Sequence, residues 1–378
     1  MASTLAHVTP EVLRWARESV GYGLDDAAAR IKLKPDKLER AEQGEQKLTL
    51  RQAEKAAEVY ERPLAVLFMA EPPTEEPQEA QFRRLPGAPE PPWPPEMNLL
   101  ARRVRERQEA AVELYEVLEQ EPPWVSVAQG LAEVGRALPE FARDLLGVGL
   151  DEQKEWRDPA GYKGLRAWVD AIESLGVLVM QDGSMPVETM RGFAAPHPSV
   201  PLIAVNTQDD ARARAFTIIH EFAHLNSAAV KSPESVATEP WCDEFAGEVL
   251  MPHDATKKTL GGLSNREPLE AIDALALRFG VTPMAAAVRV AKYEFWDKAT
   301  IDVVIQAIRD RPAGERTKGG NYYWTQIARL GPSFIRLVFT ALDGQTITYP
   351  LASSLLDGVK VSNFEKLRTH LARRAEQE

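Results

Sequence analysis

Apolar residues recur at helical spacing along the N-terminal part of the chain, a pattern that predicts four or five short helices. Leu13, Ala16 and Val20 share one face of the first helix. We predict that this helix begins at Pro10, a residue suited to the first turn, and that Thr9 caps it. Because the pattern stays helical over short distances, this part of the chain is expected to be a small helical bundle.

Three further helices follow in the same region. The second is predicted over Leu24–Ile31, and a short turn leads into the third, which starts at Pro35 and ends before Gly44. The fourth opens with a capping box, in which Thr49 and Gln52 satisfy each other's backbone amides. Short helices joined by tight turns indicate a compact domain.

The second and third helices fit a helix-turn-helix reader of DNA, because a tight turn joins them. In such a module the second helix lies in the major groove and presents its N-terminal half to base edges. The candidate DNA contacts are Lys34, Lys37, Arg40 and Gln43. The alternative is a module that binds only protein, since many small helical bundles show the same pattern.

A proline-rich stretch separates this module from the rest of the chain. Residues 71–96 contain nine prolines, which remove backbone donors and disfavour helix in the preceding residue, so we predict an extended linker. Phe82–Leu85 interrupts the prolines and is a candidate to dock on a neighbouring domain. A long helix is predicted to resume at Asn98 and to run to about Gln120.

The middle of the chain predicts a small sheet among helices. A helix around Leu165–Leu175 leads into the β-branched stretch Val177–Met180, and two more strands are predicted at Arg191–Ala194 and Leu202–Val205. Beyond these strands the pattern is helical almost throughout. The predicted fold class is therefore mainly α with a small β-sheet (α+β).

The net charge of −11 excludes wholesale wrapping of nucleic acid, but the charge is unevenly spread. Residues 1–70 carry 11 basic and 11 acidic side chains, and residues 301–378 carry 11 basic and 8 acidic ones. The excess of negative charge therefore lies in the middle. An acidic middle between neutral and basic ends is typical of a catalytic body with separate interaction modules.

Cysteine usage and hydropathy predict a cytoplasmic protein. Cys242 is the only cysteine, which excludes an intramolecular disulfide and fits a reducing compartment. No apolar run approaches the roughly 18 residues needed to cross a bilayer, and the N-terminus lacks the basic start and apolar core of a signal peptide. We therefore expect no membrane partner.

The segment FTIIHEFAHL carries the sharpest chemical signal of the sequence. Residues four apart on a helix lie one above the other, about 6 Å along the axis, so His220 and His224 can ligate one ion at roughly 2.0–2.1 Å each. Glu221 lies beside them and can take the proton of an attacking water. The segment is thus a candidate zinc peptidase site of the HExxH type. The alternatives are a chance match and a structural metal site, although structural zinc usually has four protein ligands.

Two histidines need a third ligand, and the downstream segment EPWCDEFAGEVLMP offers several. Glu239 and Asp243 are four residues apart, so one can ligate while the other braces a histidine. Glu244 and Glu248 compete with them but are more typical of a solvated face. Cys242 can bind zinc in principle, although a lone cysteine is more often a small core residue.

The N-terminal stretch TPEVLRWARESVGYGLDDAAARIKLKPDKLERAEQGEQKLTLRQAEKAAEVYERPLAVLF resembles the phage-repressor (XRE-type) helix-turn-helix family. The resemblance implies double-stranded DNA as a partner of residues 1–70. The chain departs from the family pattern at Ala41, where a tryptophan often stands, and at Leu48, where a proline often stands. These departures bear on the recognition of DNA bases and not on the helix-turn-helix fold itself.

The span from about Trp156 to Pro252 resembles the ImmA/IrrE family of metallopeptidases. The matching motifs are Ala204-Val205-Asn206 at a strand end, Arg214-Ala215-Phe216-Thr217 before HEFAH, and Glu239 through Asp243-Glu244-Phe245-Ala246 to Met251-Pro252. By this match Glu239 is the third zinc ligand, and Asp243 supports the ligands from the layer behind them. The departures, Cys242 for alanine and Val249 for leucine, are small apolar exchanges.

The ImmA/IrrE resemblance implies regulatory proteolysis with Zn²⁺ as the cofactor. Members of that family cleave a repressor-type transcription regulator in a stress response or on mobile elements. The substrate is then such a regulator, or this chain itself near the proline linker. The alternative is a DNA-binding repressor or antitoxin-like regulator whose peptidase fold acts mainly as a sensor.

The C-terminal region predicts further helices and a cluster of aromatic residues. Tyr322, Tyr323 and Trp324 precede Arg329 and Arg336, an arrangement that can serve a protein or nucleic-acid partner, although aromatics at helix starts are more often core. Similar tails in long members of the family imply a toxin as a candidate partner. The predicted domains are the helix-turn-helix domain 1–70, the linker 71–97, the peptidase domain 98–300 and the C-terminal interaction region 301–378.

Overall fold

The computed structural model describes residues 4–74, 93–134, 139–230, 239–312 and 321–375. These residues form two compact units: the first holds those up to Arg105, and the second holds those from Glu106 onward. Each unit has a hydrophobic core of its own. The segment Phe82–Leu85, for which the sequence predicts docking, lies outside the described residues.

The first unit is a bundle of short helices, as the apolar spacing predicts. Its elements are α1 (Pro10–Val20), α2 (Leu24–Ile31), α3 (Pro35–Glu42), α4 (Leu50–Val59), a 3-10 helix (Leu64–Phe68) and the start of α5 (Pro95–Val117). The predicted capping box is present, because Thr49 accepts from the Gln52 amide and the Gln52 side chain accepts from the Thr49 amide. Thr9 is the N-cap residue of α1, as predicted, but its side chain makes no capping hydrogen bond. The end of the 3-10 helix lies beside Thr9, whose hydroxyl donates to the Met69 carbonyl at 2.6 Å.

A buried ion pair joins α1 to α3. Arg17 donates from Nε and Nη2 to the two carboxylate oxygens of Glu42, at 2.8 and 2.9 Å. This paired geometry suits the planar guanidinium group. Glu42 is only 4% exposed, so it belongs to the core of the unit and is not part of the surface that α3 presents.

The second unit holds the rest of α5 and fourteen further α-helices of the described residues, most of them short. They are α6 (Pro123–Val134), α7 (Pro139–Leu145), α8 (Leu150–Glu155), α9 (Tyr162–Ser174), α10 (Ala211–Val230), α11 (Glu239–Leu250), α12 (His253–Gly261), α13 (Pro268–Phe279), α14 (Pro283–Lys292), α15 (Lys298–Arg309), α16 (Tyr322–Leu330), α17 (Pro332–Asp343), α18 (Tyr349–Leu355) and α19 (Phe364–Ala375), with a 3-10 turn at Val361–Asn363.

A mixed three-stranded sheet lies among these helices. Its strands are β1 (Leu178–Asp182), β2 (Gly192–Ala195) and β3 (Leu202–Asn206). The central strand, β3, runs parallel to β1 and antiparallel to β2. Every strand residue is buried, including the polar residues Gln181, Asp182 and Asn206 at the strand ends, which explains why apolar and polar positions do not alternate. All three predicted strands are present, with bounds displaced by one or two residues, and the predicted fold class is confirmed.

Gly192 allows β2 to lie directly against α10, the helix that carries the HEFAH segment. A Cβ atom at Gly192 would come within 2.4 Å of the Thr217 Cγ2 atom and 3.0 Å of the Ala204 carbonyl oxygen. A larger residue would therefore push the strand away from the helix. The position of α10 relative to the sheet depends on this close approach.

The C-terminal helices are part of the body of the second unit, because α16 packs against β1. Glu173, at the end of α9, connects the two regions: its buried carboxylate accepts from the Val179 amide at 3.3 Å and from the Ser333 amide at 2.8 Å. Gly331 has φ +85°, and a Cβ there would lie 2.9 Å from the Val179 carbonyl oxygen. Only glycine combines this conformation with so close an approach.

The buried carboxyl group of Glu173 makes the stability of the fold depend on pH. Burial raises its pKa from 4.5 to about 7, against the opposing effects of Arg374 and the Ser333 hydrogen bonds. Between these two values the folded chain keeps a proton that the unfolded chain has released, so the free energy of unfolding falls as the pH rises. We expect Glu173→Gln to remove this contribution. The difference in the free energy of unfolding between about pH 5 and pH 7.5, measured by urea titration, should then shrink by on the order of 2–3 kcal/mol.

The control for this measurement is Glu188→Gln, which neutralises an exposed carboxylate of the same unit. Its free energy of unfolding should follow the pH dependence of the unmodified chain. If Glu173→Gln keeps the full slope, the Glu173 carboxyl is not the group that titrates in this range.

Among the described residues, no single helix has the length and apolar character needed to cross a membrane. One bent pair, Pro268–Phe279 with Pro283–Lys292, meets the same criteria jointly, on length and composition alone, across a bend of 106°.

Candidate metal centre

Helix α10 places the two histidines of the HEFAH segment on one face, one turn apart. Their ring centroids are 5.1 Å apart. The side chain of His224 is fully buried and that of His220 is 13% exposed. The opposite side of the helix packs into the core through Ile218 and Phe222. The helix is therefore held rigidly, with one ring inside the unit and the other at its edge.

Helix α11 packs against α10 and carries the carboxylate that faces both rings. One oxygen of Glu239 lies 3.1 Å from Nε2 of His220, and the other lies 3.3 Å from Nε2 of His224. Glu239 is the first residue of α11. The structure thus brings together the two histidines and the glutamate that the sequence nominates as metal ligands.

The other nitrogen of each ring faces a different residue of α11. Oδ1 of Asp243 lies 3.0 Å from Nδ1 of His220, and Sγ of Cys242 lies 3.5 Å from Nδ1 of His224. Two consecutive residues of one helix therefore contact the outer sides of the two rings. The inner nitrogens are left for a common partner on the Glu239 side.

The donor atoms of this cluster fit a metal ion. Ligand-type atoms of His220, His224 and Cys242 all lie within 4.8 Å of one another. The contact geometry favours Glu239 over Cys242 as the third ligand, because Glu239 faces Nε2 of both rings whereas the Cys242 contact is with Nδ1 of His224. Nitrogen and carboxylate oxygen donors of this kind are typical of catalytic metal sites with an open position.

Two buried polar atoms at the cluster have no hydrogen-bond partner. The first is Nε2 of His224. It lies 3.3 Å from Oε1 of Glu239, but the angles do not suit a hydrogen bond. The second is Oε2 of Glu221, on a side chain that is 4% exposed. Buried polar groups are nearly always satisfied in native proteins, so these two atoms, beside the other ligand-type atoms of the cluster, are free to contact a bound ion, water or reactant.

Burial shifts the pKa of two groups in directions that suit this chemistry. Burial, with the charge of Glu239, raises the pKa of Glu221 to about 8, and the Ala194 backbone amide opposes the shift. Burial, with the neighbouring His220, lowers the pKa of His224 to about 4. A neutral imidazole at physiological pH is the form that ligates metals.

The expectation that Glu244 and Glu248 form a solvated face is wrong. Both carboxylates pair with Arg289 of α14, whose side chain is only 4% exposed, and both accept from the Tyr293 hydroxyl. They lie on a side of α11 different from that of Glu239. Their role is therefore to attach the helix to α14.

The candidate DNA-contacting residues lie together on the surface of α3 and its ends. Lys34, Arg40 and Gln43 are exposed and Lys37 is half-buried. Arg40 donates to the carboxylate of Asp36 at 3.3 Å, which offsets part of its charge. This surface of α3 therefore carries basic and acidic groups side by side.

The aromatic cluster of the C-terminal region packs partly on its own unit. Tyr323 stacks on His370 with ring centroids 4.7 Å apart, and Trp324 meets the same ring edge-on at 5.6 Å. Tyr322 remains 50% exposed. The cluster thus combines a structural contact with one exposed aromatic side chain.

A helix-borne pair of histidines, a facing glutamate and a buried carboxyl group define a metallopeptidase-like centre. Residues 172–291 match the peptidase M78 family model, the IrrE N-terminal-like domain. This range contains the sheet, α10, α11 and the histidines and carboxylates described above. The match supports a metallopeptidase-like domain that binds a metal ion. Neither the curated proteins nor the solved structures include a significant match to the chain.

Sequence reasoning missed two contributions to the centre. The first is Cys242, which it treated as a core residue or a rival ligand. The sequence held a signal for this contact, because Cys242 immediately precedes Asp243. A helix turns by about 100° per residue, so the side chains of two adjacent residues can reach two neighbouring rings. The second is the backbone of Ala194, which acts on the Glu221 carboxyl group and which no side-chain motif can reveal.

Proposed function

We propose that the chain is a regulatory zinc metalloendopeptidase that cleaves a repressor-type transcription regulator. In this proposal His220, His224 and Glu239 hold Zn²⁺, Asp243 orients His220, and Glu221 is the catalytic base. The observation that carries it is the position of Glu239, whose two oxygens face Nε2 of both histidines beside a buried, unpartnered Glu221 oxygen.

The roles of the side chains follow from their burial and contacts. Zinc, when bound, supplies Lewis-acid polarisation of the scissile carbonyl. Glu221 accepts the proton of the attacking water and returns it to the leaving amine. Burial and the charge of Glu239 raise the pKa of Glu221 to about 8, which helps the carboxyl group to hold the proton between these two events. Asp243 holds the His220 ring through Nδ1, which leaves Nε2 for the ion.

A DNA-binding function is proposed for the first unit, with α3 as the reading helix. The exposure of Lys34, Arg40 and Gln43 favours it. The rival to the protease proposal follows from the same surface: a cytoplasmic DNA-binding repressor or antitoxin whose metal centre acts as a sensor. In that case the exposed Tyr322 region is the candidate contact for a toxin partner.

The proposal is tested with the full-length chain after metal removal and after addition of zinc. We expect one zinc ion per chain, and zinc-dependent fragments when the protein is incubated with repressor-type regulators encoded beside its gene, followed by intact-mass spectrometry. Absence of zinc binding would overturn the metal centre. Zinc binding with every substrate left intact, together with specific retention of operator DNA, would favour the repressor.

A further inference from the structure

The two histidines of the metal centre have different partners on their outer nitrogens. Nδ1 of His220 faces a carboxylate, Oδ1 of Asp243 at 3.0 Å, near the surface. Nδ1 of His224 faces a sulfur atom, Sγ of Cys242 at 3.5 Å, in the core. The second contact is completely enclosed, because both side chains are buried.

An imidazole ring that uses Nε2 as a ligand must carry its proton on Nδ1. In a buried site that proton needs an acceptor, since an unsatisfied donor is unfavourable there. The contact of Nδ1 with Cys242 places a polarisable sulfur with lone pairs at the required position. With alanine at position 242, the contact with Nδ1 of His224 would be lost and the ring would be free to turn or to change tautomer.

We propose that Cys242 is a positioning residue of the metal centre: its sulfur accepts a hydrogen bond from Nδ1–H of His224 and fixes the ring so that Nε2 faces the ion. This inference rests on the proposed function, in which His224 is a ligand. It differs from a role for Cys242 as a ligand itself, because the sulfur lies on the side of the ring that Nε2 does not face. Sulfur therefore has in this chain the role that Asp243 has for the other histidine.

The test uses the full-length chain with Cys242→Ala, Cys242→Ser and the control Val249→Ala. Val249 is another fully buried residue of α11. Its truncation also removes core volume, but Val249 has no polar side-chain group that could contact a histidine. Three properties are measured: the zinc dissociation constant by competition with a chromophoric chelator, the histidine tautomers by long-range ¹H–¹⁵N spectra of the metal-free protein, and the absorption of the cobalt-loaded protein.

We expect Cys242→Ala to weaken zinc binding by about 10- to 100-fold, the usual effect of losing a partner behind a ligand. The Nδ1–H tautomer of His224 should be lost or mixed in this variant. Cys242→Ser should restore both properties, because a hydroxyl also accepts a hydrogen bond. Val249→Ala should lower the unfolding temperature and leave zinc affinity and tautomer unchanged.

Two results would overturn the inference. One is a Cys242→Ala variant that binds zinc as the unmodified chain does and keeps the His224 tautomer. The other is an intense sulfur-to-cobalt charge-transfer band that disappears in Cys242→Ser, which would make Cys242 a ligand. If the unmodified chain binds no zinc, the proposed function fails instead, while the tautomer of the metal-free protein still decides whether Cys242 orients His224.

Discussion

Glu221→Gln is expected to lower the rate of peptide hydrolysis by about 10²- to 10⁴-fold, the usual contribution of a positioned general base. Glutamine keeps the shape of the side chain but cannot accept a proton. The zinc content should stay at that of the unmodified chain, because Glu221 does not contact the two ring nitrogens that Glu239 faces. The measurement is single-turnover cleavage with zinc content determined on the same samples.

The matched control for Glu221→Gln is the same exchange at Glu173. Both carboxyl groups are buried and both have raised pKa values, but Glu173 bonds to the Val179 and Ser333 amides. Glu173→Gln should therefore change stability and leave the rate per folded molecule unchanged. Loss of zinc from Glu221→Gln would make Glu221 a ligand, and an unchanged rate would remove it from the reaction.

The local parts of the fold were predictable because they depend on residues close together in sequence. Helix α2 falls on the predicted bounds, Leu24–Ile31, since its apolar period and flanking turns are local signals. The capping box at Thr49 has the same origin. Thr9 shows the limit of this reasoning, because its hydroxyl turns to donate to a carbonyl sixty residues away, that of Met69, and accepts no capping hydrogen bond. Local patterns give the helix, but tertiary contacts decide the cap.

The metal centre also has a part that the local sequence predicts and a part that depends on tertiary contacts. The spacing of His220 and His224 predicts that they share a helix face, and the structure has this arrangement. Their separation from Glu239 in sequence carries no such geometric information, so the residue pattern left Glu239 and Asp243 as alternatives, and the resemblance to a family chose Glu239. The contact of Cys242 with His224 depends on how α11 packs against α10, a property of two helices that neither segment contains alone.

Glu244 and Glu248 show why charge patterns are ambiguous. Two carboxylates four residues apart on a helix are most often a solvated face. Here a cation from α14, Arg289, reaches both of them, and its sequence separation from α11 hides the partnership. A pattern of charges predicts where a helix is polar, but it does not tell whether the polar side faces water or a buried counter-charge.

Arg289→Met is expected to lower the free energy of unfolding of the second unit by about 3 kcal/mol, the lower end of the cost of removing one partner from a buried ion pair, because Glu244 and Glu248 are partly exposed. The Arg289 side chain is 4% exposed, donates from Nε to the Met251 carbonyl at 2.9 Å, and pairs with Glu244 and Glu248. Methionine fills much of the same space, so the loss reports mainly the Glu248 carboxylate, because Glu244 keeps Lys292 as a partner. The measurement is urea unfolding of the full chain, compared with the unmodified protein.

The control for Arg289→Met is Arg311→Met, because Arg311 also pairs with a carboxylate, at 2.8 Å from Asp273, but is 37% exposed. An exposed pair contributes little, so this variant should lose no more than about 1 kcal/mol. Adding Glu248→Gln to Arg289→Met should recover much of the lost stability, since position 248 then needs no cation and Glu244 keeps Lys292. Equal losses at Arg289 and Arg311 would contradict a buried network.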